Sequence, residues 1–112
     1  MTAADCTPRH EVRDEAKVDL LAASMASNGW TGSPVVLLDT FQITGVHRRA
    51  AWESLGKSLR EMPAIDLFEI CPELQSEWEE ICADACSIGE YEIESLLLKV
   101  PAEIAAEFGI EQ

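Results

Sequence analysis

Apolar positions along the chain recur with helical period in some stretches and run or alternate with strand period in others. In "DEAKVDLLAASMASNGW", Val18, Leu21, Ala22 and Met25 fall at i, i+3, i+4 and i+7. That spacing marks one face of an α-helix, and Asn28-Gly29 supplies its stop. "SPVVLLDTFQITG" predicts two short strands, residues 35–38 and 41–44, joined tightly through Asp39-Thr40. "VHRRAAWESLG" predicts a second helix ending at Gly56, and "MPAIDLFEI" a third strand. "CPELQSEWEEICADACSIG" opens with Pro72, suited to a first helical position, and carries Leu74, Trp78, Ile81, Cys82 and Ala85 on one stripe. "EYEIESLLLKV" and "PAEIAAEFG" predict two further helices, the last again opened by a proline, Pro101. Residues 1–13, with Pro8 and mixed charges, predict irregular chain. The order helix, strand, strand, helix, strand, helices predicts a small α+β domain with a helical C-terminal part.

A chain of 112 residues accommodates one domain built on a single hydrophobic core. Apolar content of 47% with 26% charged residues, and no low-complexity run, places it among folded globular chains. No apolar run approaches the length of a membrane span. Charges occupy the first 17 residues where a secretory signal would be apolar, so a cytoplasmic location is expected. Cys82 and Cys86 stand four apart and would share a helix face. Zinc needs two more ligands at recognisable spacing, and none is visible. Reduced core cysteines are therefore expected at Cys6, Cys71, Cys82 and Cys86.

Charge changes the picture further. Residues 1–65 hold seven Lys/Arg against eight Asp/Glu, for −1, whereas residues 66–112 hold one Lys against thirteen Asp/Glu, for −12. A total of −13 repels nucleic acid phosphate, so direct DNA binding is disfavoured and any anion site must be local. That site must lie in the first two-thirds of the chain. The acidic third predicts a solvated helical surface, with a basic protein partner as the alternative occupant.

The local candidate is "ITGVHRRAAWESLG", residues 43–56. A strand that ends at a glycine and turns into a helix leaves backbone N–H groups unpaired at the helix start, where the dipole favours an anion. His47, Arg48 and Arg49 add donors there. Their positions fan over roughly 200° at ~100° per residue, so not all three face one ligand. Cations in a first turn cost ~0.3–1 kcal/mol each unless an anion compensates, which favours a ligand over solvated charges. Upstream, Glu11, Asp14 and Glu15 are candidate carboxylates for phosphoryl transfer, although capping of the first helix is the simpler role for Asp14 or Glu15. His47 suits a neutral phosphate donor better than a general base, because adjacent arginines disfavour its charged form. Trp30, in the polar loop "SNGWTGS", is the candidate for stacking on a base; Phe41, Trp52 and Trp78 fit the core.

"PVVLLDTFQITGVHRRAAWESLGKS" followed by "MPAID", with the upstream helix "DEAKVDLLAASM", resembles the ParB/sulfiredoxin superfamily over roughly residues 12–70. The resemblance implies a mixed sheet with flanking helices and a nucleoside triphosphate, ATP or CTP, as ligand, with magnesium as a candidate companion ion. It implies Lys17 as a phosphate-binding lysine, Ser24 as a hydroxyl ligand, and Gly45, His47 and Arg48 as the phosphate cradle. Arg49 matches the arginine pair of the ParB side. Leu20 stands where sulfiredoxins carry their first hydroxyl. Val46 stands in place of their reactive cysteine, so sulfinic acid repair is excluded by chemistry. Nucleotide hydrolysis or a nuclease activity is an extension that the resemblance allows but does not carry over automatically. The helix-turn-helix of partition-type relatives is not expected in so short and acidic a sequence, and residues 71–112 are expected to form an acidic helical extension outside the resemblance. The alternative is a non-enzymatic acidic interaction module on a degenerate fold of this type.

Overall fold

Four consecutive apolar residues organise the molecule. In the computed structural model, which describes residues 2–110, Val35–Leu38 form strand β2 and all four are buried. Successive strand side chains point to opposite faces. Val36 and Leu38 accordingly enter one apolar cluster while Val35 and Leu37 enter another. The single core expected from chain length is thus two clusters, one on each face of a sheet whose central strand is covered on both sides.

Strand β3, Phe41–Gln42, pairs antiparallel with β2, and β4, Ala64–Asp66, pairs with β2 in parallel. Strand β1, Thr7–Pro8, adds in parallel to β3, giving the order β1-β3-β2-β4. Helices α1, Glu15–Asn28, and α2, Val46–Ser54, cover one face through Val18, Met25, Ala51 and Trp52. The opposite face is covered by α3, Leu67–Ile70, α4, Leu74–Asp84, α5, Glu90–Leu97, and α6, Ala102–Phe108. Leu67, Leu96 and Leu97, each 1% exposed or less, anchor that layer, and full burial of such a side chain is worth ~1.5–3 kcal/mol. The fold is α+β, with a mixed four-stranded sheet and six helices among the described residues.

Several expected boundaries shift for local reasons. The stretch expected to be irregular contains β1, because the Thr7 and Arg9 N–H groups donate to the Thr40 and Gln42 carbonyls on either side of Pro8. The strand expected over 41–44 stops at Gln42, since the Thr44 hydroxyl takes over and accepts from the Val36 N–H at 3.0 Å. "MPAIDLFEI" is a strand only to Asp66. The Asp66 carboxylate accepts from the Phe68 N–H at 2.8 Å and caps α3. Pro72 lies in a turn before α4 rather than at its first position, and Pro101 is the N-cap of α6. Helix α4 ends at Asp84, so Cys86 falls beyond it and shares no helix face with Cys82. Cys6 and Cys71 are buried as expected, Cys82 is half-buried, and Cys86 is exposed.

Candidate functional site: a cationic cavity at the start of α2

The approach to α2 is fixed by buried polar groups. Gln42, fully buried, donates from Nε2 to the Thr44 carbonyl at 2.8 Å, and Thr44 is tied to β2 as described. The chain then turns through Gly45 at φ 76°, ψ 28°, a left-handed conformation that L side chains rarely adopt. A Cβ here would also collide with Val35 Cγ1 and lie 3.2 Å from Arg48 Nη2. No side chain caps α2, which leaves its first N–H groups without a side-chain acceptor.

The three residues after Val46 diverge, as 100° per residue requires. His47 Nε2 accepts from the backbone N–H groups of Arg13 and Asp14, both at 3.2 Å, which makes the ring neutral with its proton on Nδ1. Burial, followed by the nearby Lys17 and His10 charges, lowers its pKa from the ordinary 6.5. His47 thereby ties the start of α1 to the start of α2. Arg48 runs under the glycines: Nη1 donates to the Thr31 and Ser33 carbonyls at 3.2 and 2.5 Å. Its guanidinium lies over the Trp30 ring, 5.2 Å from the centroid, and burial pulls its pKa down. Arg49 turns to the other side, where Nη1 reaches the Ala3 and Cys6 carbonyls at 3.0 Å and Gln42 Oε1 at 2.8 Å. Its Nε lies 3.6 Å from Glu53.

Between the starts of α1 and α2 and the end of α6 lies a cavity of about 340 Å³. Arg9, His10, Arg13, Lys17, His47 and Arg48 line it together with Thr44 and Gly45. Leu21, Ile43, Val46 and Phe108 are the apolar side chains of its lining. No aspartate or glutamate is among the described lining residues. Arg9 instead meets carboxylates from α5, with Nη2 2.7 Å from Glu90 and 3.8 Å from Glu94. Lys17 is exposed, and its backbone N–H donates to Asp14 Oδ1 at 3.1 Å, so Asp14 is the N-cap of α1.

Of the residues singled out from sequence, the structure brings together Lys17, Gly45, His47 and Arg48. Ser24 lies elsewhere, its Oγ 3.3 Å from Thr31 Oγ1. Arg49 borders a second cavity of about 460 Å³ beside Glu53. Arg9, His10 and Arg13 precede α1 in a segment without periodicity; the signal available in the sequence was their cationic clustering just ahead of Lys17. The described residues contain no group of three His, Cys, Asp or Glu side chains placed to hold a metal ion, and no helix long and apolar enough to cross a membrane. No protein-family model, no curated protein and no solved structure matches this chain.

Proposed function

We propose that the cavity binds the phosphate groups of a nucleoside triphosphate, ATP or CTP, within a cytoplasmic protein. One observation carries this reading. In a protein of net charge −13, six cationic or titratable side chains converge on one cavity whose described lining has no carboxylate, at an uncapped helix start. Arg9 is already offset by Glu90 and Glu94 and His47 is neutral, so the charge an anion would offset is that of Arg13, Lys17 and Arg48. Lys17 and Arg13, both exposed, are the adaptable donors, while Arg48 is pre-organised by Trp30 and two carbonyls. Gly45 lets the phosphate approach the backbone N–H groups of α2. His47 donates from Nδ1 in its neutral form. A magnesium ion accompanying the nucleotide is held by phosphates and water, because the lining supplies cations. The resemblance of residues 12–70 to the ParB/sulfiredoxin superfamily supports the same ligand; Val46 excludes a thiol nucleophile there, and nucleotide hydrolysis or nuclease activity is an extension of this reading.

The test is calorimetric titration with ATP and CTP, with and without magnesium, on the wild type and on Lys17→Ala. Loss of one charge-assisted contact lowers affinity by about tenfold or more. Absence of binding by the wild type at millimolar nucleotide refutes the function. Undiminished binding by Lys17→Ala refutes the site.

A further inference from the structure

The cavity lining includes apolar side chains, Leu21, Ile43, Val46 and Phe108, that a phosphate chain does not use. Burying a hydrated anion against hydrocarbon is unfavourable, whereas a planar heterocycle gains from it. Trp30, the aromatic residue that the sequence offers for stacking, is committed elsewhere. Trp30 carries Arg48 on its face and meets Trp52 edge-on with centroids 5.5 Å apart. Phe41 packs against the larger core cluster and does not line the cavity. Among the described residues Phe108 is the one phenylalanine, tyrosine or tryptophan that lines the cavity.

Phe108 is also held in place. It is the last residue of α6, half-buried and supported from behind by the larger core cluster. Gly109 then reverses the chain at φ 69°. Ile110 returns to the core, with its N–H donating to the Ala105 carbonyl at 2.8 Å. One part of the ring's surroundings is therefore rigid core, and another is the cavity that holds Lys17 and Arg48.

We propose that Phe108 is the stacking platform for the nucleobase, so that the acidic C-terminal third completes the ligand site. The inference rests on the nucleotide reading above and extends it from the phosphates to the base. Stacking on an aromatic side chain accepts any base, so Phe108 adds affinity for nucleotides over bare polyphosphate without choosing between ATP and CTP.

The experiment compares ATP, CTP and inorganic tripolyphosphate on the wild type, Phe108→Leu and Phe108→Tyr. Leucine keeps apolar packing against the core and removes the ring. Phe108→Leu is expected to lose roughly tenfold or more in nucleotide affinity while tripolyphosphate affinity stays unchanged, and Phe108→Tyr is expected to retain both. In the wild type, an NMR cross-relaxation signal is expected between adenine H8 or H2 and the Phe108 ring protons. Equal affinity of Phe108→Leu and wild type for nucleotide overturns the inference while leaving the phosphate site standing. Absence of the ring-to-base signal in a saturated wild-type complex overturns it too, whatever the variants' stability. If the wild type binds neither nucleotide nor tripolyphosphate, the phosphate reading itself fails.

Discussion

Gly45→Ala separates two costs that the structure places on one residue. Alanine at φ 76° loses ~1–2 kcal/mol to left-handed backbone strain. Its methyl group would also overlap Val35 Cγ1, on a side chain that is fully buried and closely packed. Overpacking of that kind adds ~1–3 kcal/mol, for a total of about 2–5 kcal/mol. Gly56→Ala is the control: its φ of 74° is nearly the same, but nothing lies within 4 Å of the added Cβ. It should lose only the strain component. With a urea m-value of ~1–3 kcal/mol/M, the excess loss in Gly45→Ala appears as a midpoint lower by about 1 M than that of Gly56→Ala. Gly45→Ala should also weaken tripolyphosphate binding, because the methyl displaces the Arg48 guanidinium 3.2 Å away. Equal midpoints for the two variants would refute the claim that Gly45 is required by close packing as well as by backbone conformation.

Two further outcomes are expected. Arg49→Lys cannot reproduce the contacts to Ala3, Cys6 and Gln42 and leaves the buried Gln42 Oε1 without its charged donor. It should destabilise the fold by ~2 kcal/mol in urea titration with tripolyphosphate affinity unchanged; a large loss of affinity without loss of stability would return Arg49 to the ligand site. His47 is charged less readily in the folded state than in the unfolded one, so its contribution is intact above pH 6.5. That contribution declines as pH falls from there through the lowered native value. The urea midpoint of the wild type should therefore fall between pH 7.5 and 5.5 more steeply than that of His47→Gln, and parallel profiles would remove His47 from its role at the α1 start.

The parts of this fold legible from sequence are those set by periodicity. The stripe of Val18, Leu21, Ala22 and Met25 gave α1, and the run Val35–Leu38 gave the central strand. What periodicity does not register is a side chain acting as backbone. Thr44 ends a strand by bonding Val36, and Asp66 ends another by capping α3. Strand β1 is two residues long and exists through pairing with a partner more than thirty positions away, which no local window detects. The site follows the same division. Lys17, Gly45, His47 and Arg48 belong to elements with a clear pattern, whereas Arg9 and Phe108 arrive through the tertiary fold. Arg49 was indistinguishable from Arg48 by residue type. One step of 100° turns it onto a different face of the helix, and only the fold shows that Ala3, Cys6 and Gln42 wait there.

The enclosure of a cationic cavity within an acidic molecule has a consequence for the kinetics of ligand capture. A polyanion approaching from a distance meets the field of a −13 protein, and attraction takes over only near the cavity mouth. Dissolved salt screens both regions, with a Debye length of about 10 Å at 0.1 M. For the proposed polyanionic ligand, added salt would therefore relieve the outer barrier and speed arrival, while it would weaken attraction to Lys17 and Arg48 and speed departure. Under that proposal exchange would quicken in both directions as ionic strength rises, in contrast to an open basic surface, where salt slows association.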